Sequence, residues 1–408
     1  MPSILFIHTN FPAQFGLLGH RLAQAGWDVT FATRREDAAS RSLRVVKFKD
    51  GREVTKGLHL YLANTEKAVI TGQEAARVLL AEREKGYRPD IVMAHSGWGA
   101  GLFVKDIWPE AVYIPYLEWW YRYPPIDTAY DGDFTPSVDT QLRQRIRNTP
   151  LLLDIAAGDF CLCPTRFQAE QFPEKFAPLI RVMHDGVDTA LHAPAAERPG
   201  EVAGLDLAAM PEIVTYATRG MEPQRGFPQF MRALANLQTQ RPGLHAIIVG
   251  DDRVAYGRQL PEGETWKSRM LAECDLDMSR THFTGLLPRG DYIRVLQASQ
   301  AHVYLTVPFV LSWSMLEAMS VGCPLVAADV APVTEVVTHD REGVLIDFRK
   351  PGRIEAAVTA LLDAPETAAR LGANARALIL ERYELETTVA AKIAMLEAAL
   401  GPRAAPGI

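Results

Sequence analysis

The sequence predicts an α/β protein built from two open sheets of parallel strands. Short apolar runs alternate with helical patterns of about ten to fifteen residues, which is typical of repeated βα units. At 408 residues, the chain is too long for a single hydrophobic core. The alternation stops once, in an irregular segment rich in Ala, Pro, Glu and Gly over residues 190–204, and then restarts. Two similar α/β halves joined by a linker are therefore expected.

The first half begins with an apolar run at residues 3–9 that predicts a strand. An apolar stripe at helical spacing follows from Phe15 to Ala25, and Gly26 fits the residue that ends such a helix. The opening run has no basic residues before it, so it is predicted to be a strand rather than a signal peptide. Further apolar runs predict the other strands of this half at 27–32, 90–94, 111–116, 160–164 and 180–183.

The second half repeats the same pattern. Helical patterns cover residues 228–238, 290–299 and 314–321. The apolar runs between them predict strands at 213–217, 244–249, 301–306, 324–328 and 343–348. The tail from 354 to 400 is rich in Ala, Leu and Glu and is predicted to be helical, with a break near Tyr383.

These patterns predict four segments. Residues 1–190 form a first domain, 191–205 the linker and 206–385 a second domain. Residues 386–408 are a terminal helix and tail that we expect to pack back toward the first domain. Open parallel sheets bind ligands beyond the carboxyl ends of their strands, so the chemistry is expected in the strand-end loops, where the two sheets face each other across a cleft.

Composition excludes several classes of protein. With 43 Lys+Arg against 49 Asp+Glu, the net charge of −6 gives no overall attraction for nucleic acid, so any basic site must be local. The four cysteines form no C-x-x-C pair and no zinc-like spacing, which favours reduced thiols in a cytoplasmic protein. No apolar stretch reaches the roughly 18 residues that span a bilayer, which leaves peripheral contact with the inner face of the membrane open.

The loop at residues 218–227 holds two arginines beside two glycines, between a predicted strand and helix. Arg219 and Arg225 can each contact phosphate oxygens with two N–H groups, while Gly226 lets the backbone approach and the following helix offers its amides. A diphosphate site is the functional interpretation. The alternative is a solvated polar loop.

A second loop enters the helix predicted at 314–321. Glu317 lies on its first turns, where it could accept hydrogen bonds from vicinal hydroxyls or could simply complement the helix dipole. The backbone before it could hold a phosphate. The residues predicted to bind a diphosphate-bearing ligand beside the arginine loop are Asp251, Phe309, Leu311, Ser312, Trp313, Ser314 and Glu317.

These segments resemble a known family. R-x5-R-G, a G-D-D strand end, H-F-T-G and then S-W-S-M-L-E-A-M-S-V-G-C-P-L-V-A are similar, in this order, to the carboxyl-terminal half of family 4 glycosyltransferases, which are retaining enzymes of the GT-B fold. The H-D-G-V-D segment at 184–188 also fits. The resemblance implies that the diphosphate-bearing ligand is the sugar donor, that Arg219 and Arg225 hold its diphosphate and that Glu317 binds its ribose. It also implies that residues 1–190 are the acceptor-binding domain and residues 206–385 the nucleotide-sugar-binding domain.

The chain departs from the family pattern at three places, and the first is that Arg219 and Arg225 are spaced one residue wider than in the commoner pattern. Phe309 stands eight residues before Glu317, where the family has a glutamate that touches the transferred sugar. In the first half, the strand at 111–116 runs into Leu117 and Glu118 where the family has a histidine. The sugar contact and the catalytic group of the first domain must therefore differ.

Glu118 is the candidate for that group. A carboxylate at a strand end could orient an acceptor hydroxyl or stabilise positive charge at an anomeric carbon, whereas the structural alternative is an ion pair with Arg122. His95 also ends a strand, before a glycine-flanked turn, and is a second catalytic candidate, although it could simply cap a helix. The catalytic set is thus predicted as Glu118, His95, Arg219 and Arg225.

The acceptor is expected to meet the aromatic-rich loops of the first half. Aromatic faces pack on sugar rings or lipid chains, but they can equally form a small core under a long loop. The residues predicted for the acceptor are Asn10, Gln14, Phe15, Gly16, Trp98, Trp119, Trp120, Tyr121 and Tyr123. The D-x-D at Asp131 and Asp133 follows no strand and is interpreted as a solvated turn, so no metal site is predicted.

The sequence therefore predicts a hexosyltransferase of polysaccharide biosynthesis. Its donor is a nucleotide diphosphate sugar, with UDP and GDP types favoured, and it requires no cofactor. The acceptor is a hydroxyl of a glycan, a lipid-linked saccharide or a small metabolite, and no nucleic acid is bound. Two alternatives stay open: an epimerase acting on nucleotide sugars with the same architecture, and a non-catalytic protein that binds them.

Overall fold

The computed structural model describes residues 1–49, 51–130 and 134–401. The chain divides into two compact units. Unit 1 comprises Met1–Pro125, Thr135–Gly186 and Glu386–Ile408, and unit 2 comprises Ile126–Phe134 and Val187–Leu385. Each unit contains its own parallel sheet and its own core.

Unit 1 is built on a seven-stranded sheet in which all neighbours are parallel. The strand order is β3-β2-β1-β4-β5-β6-β7, so the chain order reverses between β1 and β4. The runs of apolar residues produce strands that are buried on both faces, as expected for a parallel sheet covered by helices. The strands are β1 Ser3–His8, β2 Asp28–Thr33, β3 Arg44–Lys47, β4 Ile91–His95, β5 Val112–Tyr116, β6 Cys161–Cys163 and β7 Ile180–Val182.

The helices of unit 1 follow its strands. The first ends as its sequence predicts, because Gly26 adopts the left-handed conformation (φ 85°) just beyond it. Asn148 alone separates the fourth and fifth helices. The helices are α1 Gly16–Gln24, α2 Ala63–Glu84, α3 Val104–Ile107, α4 Val138–Arg147, α5 Thr149–Ala157 and α6 Arg166–Ala169.

Unit 2 contains a six-stranded parallel sheet of order β12-β11-β10-β13-β14-β15, with its reversal between β10 and β13. A two-residue antiparallel pair precedes it, within and just after the segment predicted as the linker. The strands are β8 Glu201–Val202, β9 Leu205–Asp206, β10 Glu212–Gly220, β11 Leu244–Asp251, β12 Thr281–Gly285, β13 Ala301–Tyr304, β14 Leu325–Ala328 and β15 Val344–Ile346.

Helices cover the sheet of unit 2, and one more helix ends the chain. The helices of unit 2 are α7 Phe227–Gln240, α8 Trp266–Glu273, α9 Arg289–Ala298, α10 Trp313–Val321, α11 Ala331–Thr334, α12 Arg353–Asp363 and α13 Pro365–Arg382. All but the first residue of the terminal helix, α14 Leu385–Leu400, belong to unit 1. No helix in the described ranges is long and apolar enough to cross a membrane.

The predicted fold class is confirmed. Every predicted strand is present with its ends shifted by a few residues, and the predicted break in the tail falls where α13 ends at Arg382. The sequence did not predict β3, because a four-residue strand with charged residues at both ends carries no clear alternation. In open sheets, ligands bind where the strand order reverses, which directs attention to the ends of β1 and β4 in unit 1 and of β10 and β13 in unit 2.

Candidate active site

Arg225 follows β10 and is the central cation of unit 2. Its side chain is buried, with the residue only 6% exposed, and Nη1 donates to Thr306 Oγ1 at 2.8 Å. Nη2 donates to the carbonyl oxygen of Val310 at 3.3 Å. Among the described residues, no carboxylate forms an ion pair with this guanidinium. A buried cation without a carboxylate partner is expected to attract an anionic ligand.

The backbone around Arg225 is fixed by two close contacts. Gly226 adopts a left-handed conformation (φ 63°), and a Cβ there would come within 2.6 Å of Leu305. The Tyr216 hydroxyl donates to the carbonyl oxygen of Arg225 at 2.7 Å. Only glycine fits at position 226, so the chain turns directly from the arginine into α7.

Two aromatic rings face the same guanidinium. The Arg225 Cζ atom lies 5.2 Å from the ring centroid of Tyr256 and 5.9 Å from that of Phe309. The two rings meet edge to face with their centroids 5.2 Å apart. Phe309 therefore lies beside Arg225, the predicted diphosphate-binding group, at the chain position where the family pattern has a glutamate. Together with Tyr256 it forms an aromatic wall next to the guanidinium.

Glu222 holds this wall in place and was not predicted from the sequence. It is fully buried, and its carboxylate accepts hydrogen bonds from the backbone N–H groups of Ala255, Tyr256 and Gly257, the shortest at 2.7 Å. These bonds tie the loop after β11 to the loop after β10. The partners lie more than 30 residues apart, so no local pattern could have revealed them.

Glu317 lies near the start of α10 and is 7% exposed. Its Oε1 atom lies 2.9 Å from Arg289 Nη2 and 3.8 Å from His192 Nε2. Burial, together with the Glu317 charge, raises the pKa of Tyr292 well above its ordinary value. This carboxylate therefore has a cationic partner, Arg289, that the sequence did not predict.

The other residues predicted to bind the donor differ in exposure. Arg219 is exposed, unlike Arg225, and Asp251 forms a partly exposed ion pair with Arg253 at 3.1 Å. Leu311 is buried, whereas Trp313 is 42% exposed. Ser312 caps α10 by accepting from the N–H of Ser314, and its own N–H donates to the Tyr304 hydroxyl.

In unit 1, a cluster of polar side chains forms at the ends of β1, β4 and β5. Gln14 Nε2 donates to Glu118 Oε1 at 2.6 Å, and His95 Nε2 lies 3.3 Å from Glu118 Oε2. The ring of His8 packs edge-on against that of His95, with centroids 4.7 Å apart. The cluster brings together three predicted residues, Glu118, His95 and Gln14, and adds His8, which the sequence did not indicate.

Charge in this cluster is set by its neighbours. Burial alone would raise the pKa of Glu118, but His95 and the Gln14 hydrogen bond outweigh it and keep that pKa below its ordinary value. Burial, reinforced by His95, lowers the pKa of His8 well below 6.5. Glu118 is therefore an ionised carboxylate at neutral pH, and its partners are His95 and Gln14 rather than Arg122, which donates to Gln171 at 3.4 Å.

A second group of side chains lies close to Glu118. The Tyr116 hydroxyl donates to Asp185 Oδ2 at 2.9 Å, and Lys392 Nζ donates to Asp185 Oδ1 at 2.8 Å. Lys392 comes from α14 and is 4% exposed. Burial would raise the pKa of Asp185, but Lys392 and His184 hold it below its ordinary value. Burial also lowers the pKa of His184 to about 4.

The residues predicted for the acceptor fall into two groups. Phe15 is 2% exposed and stacks on Phe6 with centroids 5.2 Å apart, and Gly16 is also buried, so these two belong to the core and not to an acceptor surface. Asn10 and Trp98 are exposed. Trp119, Trp120, Tyr121 and Tyr123 are half-buried in the loop after β5.

That aromatic loop is held by α5 and its neighbours. Asn148 accepts from the N–H of Tyr121 and donates to its carbonyl oxygen, both at 2.9 Å. Trp120 packs against Phe172 with centroids 5.5 Å apart. The predicted turn at Asp131 and Asp133 lies outside the described residues. Across the residues that are described, no group of three or more His, Cys, Asp or Glu side chains could hold a metal ion.

Asp154 leads to a prediction about stability. It is 1% exposed and accepts hydrogen bonds from Ser96 Oγ at 2.6 Å and Tyr113 Oη at 2.8 Å, yet burial raises its pKa to about 6. This pKa is above the value of about 3.9 that Asp154 has in the unfolded chain. The raised pKa therefore stabilises the folded state below about pH 3.9, and this stabilisation is lost as the pH rises through 6. The loss is at most about 3 kcal/mol.

Unfolding midpoints of the wild type and the Asp154→Asn variant should be measured from pH 4.5 to 7.5. The free energy of unfolding of the variant, relative to that of the wild type, is expected to increase with pH over this range. Only the wild type has the Asp154 carboxyl group, which loses its proton as the pH rises. A difference that stays constant with pH would contradict the titration of Asp154.

Two known protein families match this chain. Residues 25–191 match the family described as glycosyl transferase family 4 group, and residues 203–378 match glycosyl transferases group 1. Together these matches cover most of the chain. The chain belongs to the family 4 glycosyltransferases. The predicted membership is confirmed, and the protein is a glycosyltransferase.

Curated relatives of this glycosyltransferase are distant. A D-inositol 3-phosphate glycosyltransferase of Corynebacterium efficiens is 25% identical over 378 residues, covering 88% of this chain and 83% of that protein. The one from Segniliparus rotundus is 27% identical over 252 residues, covering 60% of this chain and 54% of that protein. The match to this second relative thus spans only about half of its length.

Among solved structures, Anabaena HepE in complex with UDP-glucose matches the glycosyltransferase with a TM-score of 0.70 at 18% identity. The match covers 98% of this chain and 100% of that one. Sucrose-phosphate synthase from Thermosynechococcus elongatus matches with the same TM-score and identity. These similarities establish the GT-B fold.

Proposed function

We propose that this glycosyltransferase moves a hexosyl group from a nucleoside diphosphate sugar to a hydroxyl of a carbohydrate or small-molecule acceptor, with retention of anomeric configuration. The observation that carries the proposal is Arg225, a buried guanidinium at the strand-order reversal of unit 2. Its hydrogen bonds go to two hydroxyls, of Thr306 and Tyr304, and to a backbone carbonyl, so its charge is available to a ligand. A diphosphate is the anion that a nucleotide sugar would bring there.

On the donor side, Arg225 binds the diphosphate and stabilises the negative charge that develops as the sugar leaves. Glu317 accepts hydrogen bonds from the ribose hydroxyls. Because Arg289 now contacts Glu317 at 2.9 Å, the ribose either shares the carboxylate with Arg289 or displaces it. UDP is favoured as the carrier, with GDP second, because HepE, a structural neighbour, was solved in complex with UDP-glucose.

On the acceptor side, Glu118 is the reactive carboxylate. It is 30% exposed at the side chain, is held by Gln14 and His95, and is ionised at neutral pH. Such a group orients an acceptor hydroxyl by accepting its hydrogen bond, and its charge stabilises an oxocarbenium-like anomeric carbon. The names of curated relatives, which act on D-inositol 3-phosphate, support a polyhydroxylated small molecule as one acceptor class.

A divalent metal is not required in this proposal, because Arg225 supplies the positive charge at the leaving group. We place the enzyme in the cytoplasm, at the inner face of the membrane. Activity is expected to be unchanged when assayed in excess EDTA. A loss of activity in EDTA that Mg²⁺ or Mn²⁺ restores would contradict this part of the proposal.

The reaction is tested by incubating the purified protein with UDP- and GDP-hexoses and candidate acceptors, including inositol phosphates, and by assigning the anomeric configuration of the product by NMR. The Glu118→Gln variant keeps the shape of the side chain and removes its charge, so kcat is expected to fall about 10²-fold while donor affinity is retained. Glu174→Gln, at an exposed position in unit 1, is the matched control and should leave kcat unchanged.

Three outcomes would contradict the proposal. An isomerised sugar nucleotide formed without acceptor would indicate an epimerase. Absence of nucleotide binding in a thermal-shift panel of UDP, GDP, ADP and dTDP sugars would remove the donor site, because a bound ligand must stabilise the folded state. Full activity of Glu118→Gln would remove the catalytic role of this carboxylate.

A further inference from the structure

Helix α4 has no buried residue, although it is ten residues long and carries apolar side chains. Val138 is 69% exposed and Leu142, one turn later, is 46% exposed. On α5, which follows after a single residue, Leu152 and Leu153 are 39% and 52% exposed. Four large apolar side chains thus face solvent on two consecutive helices, where a helix of a globular domain would normally bury such a stripe.

The surroundings of these side chains are basic. Leu142, Arg145 and Leu152 line one side of a cavity of about 500 Å³, and Trp120, Lys175 and Phe176 line another. Three cationic residues line this cavity, Arg122, Arg145 and Lys175, and no Asp or Glu of the described ranges does. Helix α4 itself carries Arg143, Arg145 and Arg147 against a single acid, Asp139, which accepts a hydrogen bond from Tyr61. This is a local positive surface on a chain of net charge −6.

Neighbouring acids reduce this positive charge but do not cancel it, and two of them, Glu170 and Glu174, line an adjoining cavity that shares Trp120 and Arg122. Elements packed against α4 are α2, α5 and the turn Leu60–Leu62. Glu66, near the start of α2, accepts hydrogen bonds from Arg52 and Thr55. Leu60 and Leu62 of the turn are themselves 62% and 42% exposed, which extends the apolar area.

We propose that this face, defined by Val138, Leu142, Arg145, Leu152, Leu153 and Lys175, docks unit 1 on an anionic lipid bilayer. The apolar side chains would enter the boundary between headgroups and acyl chains, and the cations would contact anionic headgroups. Free phosphate would account for the cations but not for the exposed leucines. A neutral surface would account for the leucines but not for the cations. An anionic bilayer meets both features, and the docked protein would lie on the membrane without spanning it.

This inference rests on the membrane location in the proposed function and names the surface responsible. It is independent of the transfer reaction, since vesicle binding is measured without donor or acceptor. Trp120, which lines the cavity, lies two residues after Glu118 in the same loop. A docked unit 1 would therefore hold its acceptor-side carboxylate near the headgroup layer.

The test is co-sedimentation of the full chain with vesicles of phosphatidylcholine alone and of phosphatidylcholine mixed with phosphatidylglycerol, at low and high salt. Binding to the anionic vesicles is expected to be at least about tenfold stronger and to weaken with salt. Arg143→Gln/Arg145→Gln is expected to lower the partition coefficient about 30-fold, from roughly fivefold per arginine. Leu142→Glu/Leu152→Glu should abolish binding.

Matched control variants lie on α13 of unit 2. Leu380→Glu introduces the same change at a leucine that is 44% exposed, and Arg370→Gln/Arg382→Gln removes two exposed arginines. Both controls should bind vesicles like the wild type. Because every substituted side chain is exposed, circular dichroism should show unchanged folding.

Several results would overturn the proposal. Equal binding to both vesicle types, or no binding, excludes an anionic bilayer. If the variants substituted at this face bind anionic vesicles as well as the wild type does, this surface is not the site of membrane docking. A dimer in solution that Leu142→Glu dissociates, without vesicle binding, assigns the face to a second copy, and stabilisation by inorganic phosphate without vesicle binding assigns the cavity to a soluble anion. The transfer assay with a soluble acceptor reports separately whether the proposed reaction stands.

Discussion

Replacing Arg225 by alanine is expected to lower kcat/KM for the sugar nucleotide by about 10² to 10³-fold. The guanidinium is buried beside Tyr256 and Phe309 with no carboxylate bound to it in the described structure, so in the proposed function its charge meets the donor diphosphate. Arg225→Lys should restore only part of the loss, because an ammonium group cannot form the two-pronged contact that a guanidinium makes with a phosphate. Steady-state kinetics and thermal shifts with UDP and GDP measure both effects.

The matched control for this prediction is Arg232→Ala on α7. Arg232 forms an exposed ion pair with Glu273 and should leave kcat/KM unchanged. Arg219→Ala, at the exposed arginine before the same loop, is expected to have a smaller effect than Arg225→Ala. If Arg225→Ala is folded and binds the nucleotide as tightly as the wild type, the donor site is not where we place it.

Replacing Lys392 by methionine is expected to cost about 3–5 kcal/mol of the stability of unit 1 at neutral pH. The change leaves Asp185 without its cation, although its side chain is only 9% exposed and the Tyr116 hydroxyl remains bonded to it. In the wild type the pKa of Asp185 is lowered, so the ion pair stabilises the fold above about pH 4 and is lost as the pH falls through the folded pKa. In the variant this pKa should rise, and stability should partly recover as the pH falls.

Two further variants make this prediction specific. In the Asp185→Asn/Lys392→Met variant no unpaired charge is buried, so most of the lost stability should return. Lys350→Met removes an exposed lysine that lies 3.7 Å from Asp347 and should change stability by less than about 1 kcal/mol. Unfolding of unit 1 followed by circular dichroism measures all of them. A double variant no more stable than Lys392→Met would show that the charge of Asp185 is not responsible.

The sequence predicted the fold because its signals are local. Each apolar run between turn residues marked a strand, and the loop with Arg225 and Gly226 could be recognised from neighbours in the chain. Arg219 and Arg225 appeared equivalent in the sequence, but the structure separates them, because Arg219 is exposed near the end of β10 whereas Arg225 is buried in the loop that follows. Exposure depends on packing, and residue type alone could not reveal it.

The contacts that the sequence missed are between distant residues. Glu222 binds three amides more than 30 residues away, and Asp185 meets Lys392 across 207 residues. Phe15 was assigned to the acceptor because of its position in a strand-end loop, but its ring completes an aromatic core with Phe6 and Phe31. Spacing and composition carry no information about such pairs.

The pairing of Lys392 with Asp185 also bears on the order in which the chain can fold on the ribosome. Unit 1 contains residues from both ends of the sequence, so unit 2 is in effect inserted into it. Unit 2 is complete once residue 385 has emerged, whereas Asp185, made long before, stays without its cation until Lys392 is synthesised. A nascent chain stopped before α14 should thus contain a finished unit 2 and an unfinished unit 1, although unit 1 begins first.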